Sequence, residues 1–131
     1  MTDTDGVYGN PLPHKLSTAS ADGGVTPVVR YDVTLANAYL AKITTPTSFS
    51  SSPSLSDSVA WSGSTVVSTT SDVGMAVYET SKVIYGSTTE FDLTIAGSTW
   101  FSSTSTADYG YNKSLPGGSY SATIVAECIA K

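Results

Sequence analysis

An all-β fold, an antiparallel β-sandwich or jelly roll with an extended N-terminal arm, is what this sequence predicts, and three observations carry that expectation. Short runs alternate apolar and polar residues with a period of two, as at Val28–Leu35, Glu90–Ile95 and Tyr120–Cys128. Turn signals such as Asp72-Val73-Gly74, Ala96-Gly97 and Pro116-Gly117-Gly118 separate them. No stretch carries an amphipathic helical pattern long enough to supply the crossover helices of an α/β fold. Seven or eight short strands are expected, within one domain over residues 28–131.

Residues 1–27 read as the arm. Gly6, Gly9, Pro11, Pro13, Gly23, Gly24 and Pro27 interrupt any regular ladder, and each proline fixes its own φ and restricts the residue before it. Val7, Tyr8, Leu12, Pro13 and Leu16 are the candidate anchors by which this arm grips a partner.

Val28–Leu35 is a half-buried strand, with Val29, Tyr31, Val33 and Leu35 on one side and Arg30, Asp32 and Thr34 on the other. After Asn37, the segment to Ile43 reads as a second strand carrying Tyr39, Ala41 and Ile43; one or two helical turns are the alternative. Thr44–Ser58 is a surface loop that tucks Phe49 down. Val59–Trp61 and Thr65–Ser68 are two strands joined by a tight Ser62-Gly63-Ser64 turn. Met75–Tyr85 is one long strand with an irregularity near Ser81, or a bent pair. Glu90–Ile95 turns Phe91, Leu93 and Ile95 inward. Trp100 and Phe101 begin a short strand, and Ser102–Lys113 is a loop.

Ser114–Lys131 closes the domain. Tyr120, Ala122, Ile124, Ala126 and Cys128 share the side assigned to the core; Ser121, Thr123, Glu127 and Lys131 take the other, with Val125 and Ile129 breaking the pattern. Cys128, the sole cysteine, is expected as a small buried hydrophobe, with an intermolecular bridge or a reactive thiol as the alternatives. No disulfide can form within the chain, so packing and strand pairing must hold it.

Composition narrows function. Charged residues are only 13% of the chain, about half the usual share, and Ser and Thr fill roughly a third of it. A net charge of −5 with six Lys and Arg argues against nucleic acid and against anionic membranes, both of which require clustered cations. No run reaches the length of a membrane helix. The opening residues lack the basic and apolar regions of a secretory signal, so a chain starting at Met1 is expected to be made in the cytoplasm.

Catalytic and metal-binding sets are not expected. His14, the single histidine, lies in the proline-containing arm, and no G-x-S-x-G elbow is present. One Cys and one His give no zinc spacing, and Asp3-Thr4-Asp5-Gly6 lacks the later ligands of a calcium loop. No cofactor is expected. Asn112-Lys113-Ser114 matches a glycosylation triplet, which acts only in a eukaryotic secretory protein.

Aromatics are the remaining candidates. Trp61, Trp100, Phe101, Tyr109 and Tyr111 are residue types that stack on sugars, anchor interfaces or fill a core. Neighbours along a strand point to opposite faces, so one of Trp100 and Phe101 must lie off the core, and either is a candidate partner contact.

Asp5-Gly6-Val7-Tyr8, Leu12-Pro13, Lys15 and Asp22-Gly23 resemble the opening of small capsid decoration (cement) proteins of tailed phages. The resemblance covers about twenty residues. It implies a β-rich virion structural protein that binds the outside of a phage head, often as a trimer, with a capsid protein and further copies of itself as partners. Leu115-Pro116-Gly117-Gly118-Ser119-Tyr120 and the strand after it are similar to the ends of Ig-like and fimbrial domains. That likeness implies an extracellular adhesin or pilus-type subunit, with sugar as a possible ligand.

Overall fold

The computed structural model describes residues 2–4, 14–20, 24–110 and 113–131. In chain order the elements are β1 (Thr2–Thr4), β2 (Lys15–Ser17), β3 (Val28–Val33), β4 (Tyr39–Thr44), β5 (Ala60–Val67), α1 (Val77–Ser81), β6 (Val83–Tyr85), β7 (Thr88–Leu93), β8 (Gly97–Asp108) and β9 (Val125–Ala130). All strand pairs are antiparallel and form two sheets, an all-β sandwich.

Sheet A is organised by β8, twelve residues long. On one side β8 pairs with β5 along Phe101–Asp108; on the other its first half pairs with β3 and its last three residues with β2, to which β1 adds. Sheet B runs β6-β7-β4-β9. Along β8 the faces alternate without a break. Thr99, Phe101, Ser103, Ser105 and Ala107 are buried, whereas Trp100, Ser102, Thr104 and Thr106 look outward.

Apolar side chains meet between the sheets at one end. Val33, Ala41, Ile43, Met75, Tyr78, Phe91, Leu93 and Phe101 form the core, with the Phe91 and Phe101 rings stacked at 4.1 Å and Tyr31 edge-on to Phe101 at 5.6 Å. Toward the other end hydroxyls replace hydrocarbon. Thr65 and Ser103 are buried and bonded to each other at 2.9 Å, which meets the rule that a buried polar group needs a partner. Phe49 closes that end against Trp61 (4.7 Å) and Tyr120 (5.2 Å).

Several expected elements hold. Val29, Tyr31 and Val33 take the inner side of β3, Asn37 turns the chain with φ 66°, Ala41 and Ile43 are buried in β4, and Phe91 and Leu93 are buried in β7. Leu35, past the end of β3, is 62% exposed.

Four expectations are corrected. Ser62-Gly63-Ser64 is no turn, because β5 runs straight through it in register with β8. Gly63 sits where a Cβ would lie 2.6 Å from Thr45 Oγ1, so glycine here allows sheet B to approach rather than the chain to turn. The Met75–Tyr85 strand is instead the one-turn helix α1 followed by the short β6. Tyr78 of α1 fills the core, and its ring oxygen accepts from the Ile95 amide at 3.1 Å. Ser102–Lys113 is not a loop as far as Asp108, since it forms the second half of β8.

The last strand is the fourth. It begins at Val125 rather than Tyr120, and it is an edge strand exposed at nearly every position. Ala126 and Cys128 sit opposite buried Ile43 and Ala41, so they face inward as expected. Cys128 is nonetheless exposed. Packed sheets stand about 10 Å apart, and Ala and Cys side chains are too short to bridge that gap at the rim.

Candidate interaction surface

Among the described residues, the side of the sandwich where β3 and β9 run is open. Two clefts, of about 360 and 250 Å3, enter between the sheets there and share Pro27 and Ile124. Val28, Val29 and Ala126 line the smaller one. Val28 and Val125 are each about half exposed. Ser105 Oγ, buried on the wall of the larger cleft, has no hydrogen-bond partner among the described residues.

Tyr31 spans the opening. Its hydroxyl donates to the Glu127 carbonyl oxygen at 2.7 Å, tying the middle of β9 to β3. Burial, with smaller contributions from the charges of Cys128 and Glu127, pushes the Tyr31 pKa up to about 12.

A polar cluster lies around the corner, on the outer face of sheet A. Arg30 Nε donates to Asp32 Oδ1 at 2.8 Å, Ser98 Oγ donates to the same oxygen at 2.6 Å, and the Arg30 guanidinium sits 4.9 Å above the Trp100 ring. The hydrogen bond from Ser98 and then that from Arg30 hold the Asp32 carboxyl below its usual range. Register puts these residues together, because Arg30 pairs with Trp100 and Asp32 with Ser98. Cation–π stacking and a shared carboxylate give Trp100 a fixed pose on a polar face.

The candidate site residues are dispersed. Leu16 is buried in β2, and Phe101 is fully buried in the core, so neither is available to a partner; Phe101 has that fate because its register on β8 is inward. Trp100, its neighbour, takes the outer face. Val7, Tyr8, Leu12 and Pro13 lie outside the described residues, as do Asp5, Gly6, Tyr111 and Asn112. Within residues 1–27, Thr2–Thr4 and Lys15–Ser17 are strands of sheet A, so those stretches belong to the sandwich rather than to a free arm.

Other candidates have structural work. Trp61 faces inward against Phe49. Tyr109 is buried, and its ring oxygen accepts from the Ser56 and Asp57 amides. His14 is buried with Nδ1 at 2.9 Å from Asp108 Oδ1. Burial pushes the Asp108 pKa upward, but the hydrogen bonds from His14 and from the Gly110 amide outweigh it and hold the carboxyl below its usual range. Among the described residues no three His, Cys, Asp or Glu side chains come together to hold a metal, and no helix is long and apolar enough to cross a membrane.

Arg30, Ser98 and the open edge of β9 were not singled out by sequence. The first two stood among ordinary outward polar residues, and an edge becomes visible only when strand order is known.

No family model matches this chain, and neither a curated protein nor a solved structure is significantly similar to it. The class that the fold defines is a two-sheet antiparallel β-sandwich, open on one side among the described residues.

Proposed function

We propose that this protein is a non-enzymatic virion structural subunit, a capsid decoration or cement protein that binds and stabilises a phage head. The observation that carries the reading is the likeness of Asp5-Gly6-Val7-Tyr8, Leu12-Pro13, Lys15 and Asp22-Gly23 to the openings of such proteins. The physical form suits it. A sandwich knitted by a twelve-residue central strand is a stiff body, and its hydroxyl-rich, weakly charged surface stays wet without repelling further copies. Fixed Trp100 with Arg30 is the type of pair that anchors protein contacts. The capsid and further copies of this chain are the partners, and the virion is the location.

Co-sedimentation with phage heads, followed by electron microscopy of the pellets, tests it. Stoichiometric binding that lowers head rupture on heating is the expected result, and Trp100→Ala is expected to weaken it. Heads that pellet without the protein would overturn the reading.

One observation favours a second reading, an extracellular adhesin or pilus-type subunit that binds carbohydrate. Trp100 presents its ring on an outer sheet face beside Arg30, Asp32 and Ser98, a combination that stacks on a sugar and bonds its hydroxyls. A glycan array separates the two readings: specific binding lost in Trp100→Ala and kept in Trp61→Ala supports sugar recognition.

A further inference from the structure

Backbone direction along β9 follows from two hydrogen bonds. The Lys131 amide donates to Ala38 O at 2.9 Å, and the Thr45 amide donates to Ser87 O at 2.9 Å. In an antiparallel ladder, bonded and non-bonded pairs alternate. With Thr44 opposite Val125 and Tyr39 opposite Ala130, residues 125, 127 and 129 spend their amides and carbonyls on β4. Ala126, Cys128 and Ala130 therefore aim theirs outward, and no strand among the described residues pairs with them.

Other edges of the sandwich are blunted. On β5 the outward Val67 amide donates to Glu79 at 2.5 Å, and the Thr65 carbonyl accepts from Lys82 Nζ at 3.1 Å, so α1 and the residue after it cap that edge. β1 and β6 are three residues each. β3 carries the Arg30–Asp32 ion pair beside its free edge. Short length, charge and a covering element are the usual guards against edge pairing. β9 has six residues, small side chains on its inner face and one charge, Glu127. The Tyr31 hydroxyl holds it in place.

We infer that β9 pairs with β9 of a second copy, antiparallel about a two-fold axis, with Cys128 opposite the partner's Cys128, so that sheet B runs on through both chains. Only registers that oppose outward groups to outward groups can bond. One step in one direction sets Glu127 against the partner's Glu127, and like charges directly opposite are unfavourable. One step in the other direction leaves Ala126 without a partner. The register centred on Cys128 uses all three outward residues of each chain, faces Ala126 with the partner's Ala130, and sets Glu127 against the partner's Ile129. Lys131, whose ammonium also bonds Asp92 at 2.6 Å, then lies on one diagonal of the partner's Glu127 and Glu127 on the other, so no like charges stand directly opposite. This two-fold pair takes the place of the trimer that the decoration-protein resemblance implies. It does not depend on the virion reading, because no phage head enters the test.

Sedimentation velocity on the full chain, with mild oxidation under native conditions, decides it. A dimer that becomes covalently linked through Cys128 is expected, since a bonded antiparallel pair holds its Cα atoms at about 5.5 Å, inside the range a disulfide needs. Ala126→Pro removes an amide that β4 does not use, and prolines are accepted at strand edges. It is expected to weaken the dimer on the order of a hundredfold, because each change counts twice across the axis, while the far-ultraviolet spectrum keeps its strand signature. Should that variant fail to fold, Ala126→Lys places a charge at the same junction and is read identically. A monomer at every concentration, a dimer that both variants leave intact, or one that Cys128 does not link would each overturn the inference.

Discussion

Tyr31 and Glu127 join the two sheets at their open side: the phenol donates to the Glu127 main-chain oxygen at 2.7 Å. Tyr31→Phe deletes only that donor and is expected to cost about 1 kcal/mol, with faster hydrogen exchange across β9 as the local signature. Alkaline pH adds a second readout. The folded state keeps Tyr31 protonated up to about 12, against 10.0 for the ordinary side chain, so its contribution is whole below pH 10 and is lost as pH rises through about 12. Urea midpoints measured across that window should fall less steeply in Tyr31→Phe than in the parent protein.

Trp100 and Phe101 are adjacent in sequence and opposite in role. Phe101 is fully buried and stacked on Phe91, so Phe101→Ala is expected to cost about 3–5 kcal/mol, a large share of the 5–15 kcal/mol typical of a domain. Trp100 packs on Arg30 at the surface, and Trp100→Ala should cost about 1 kcal/mol or less. Equilibrium urea unfolding of both variants separates a core residue from a surface anchor; equal losses would contradict the assigned faces.

This contrast shows where the sequence was legible. Strands whose inner residues are branched or aromatic, such as β3, β4 and β7, announced both their existence and their facing. β8 did not, because its inward positions after Phe101 are Ser103, Ser105 and Ala107, and a run of Ser and Thr looks the same in a loop as in a strand where a buried hydroxyl such as Ser103 bonds Thr65 on the neighbouring strand. β9 misled in the opposite sense. Its alternation correctly gave the inner face, but burial depends on what lies beneath, and the short Ala126 and Cys128 side chains do not fill the gap to sheet A. α1 was hidden by β-branched and aromatic neighbours, with Tyr78 drawn into the core by tertiary packing rather than by helix propensity. Of the candidate surface, only Trp100 was visible in advance, through the rule that neighbours on a strand face opposite ways.

Asp108 links the last residue of β8 to the start of β2 through His14. Its carboxyl is held below the ordinary 3.8, so the stability it supplies is present above that value and is lost as pH falls through the folded-state value. Solvent screens this half-exposed group, and Asp108→Asn is expected to cost about 1 kcal/mol at neutral pH. Denaturation curves collected from neutral to strongly acidic pH should converge for the two proteins at the acid end. A constant gap across the whole range would show that the carboxylate charge contributes nothing.

Glu79 guards the β5 edge, and its removal should have two consequences of different kinds. Its carboxylate accepts from the Val67 amide at 2.5 Å and from Lys82 Nζ at 2.9 Å, while Lys82 also reaches the Thr65 carbonyl. Glu79→Ala leaves that amide without its acceptor and is expected to cost about 1–2 kcal/mol; Lys82→Ala, which leaves the Val67 bond intact, should cost about 1 kcal/mol or less. The second consequence concerns association. With α1 no longer pinned across it, β5 exposes backbone groups at Thr65 and Val67 next to 42%-exposed Val66, and an unguarded edge invites pairing. Light scattering of Glu79→Ala below its unfolding temperature should therefore rise with concentration beyond that of Lys82→Ala. If both variants scatter alike, the helix is not what keeps this edge closed.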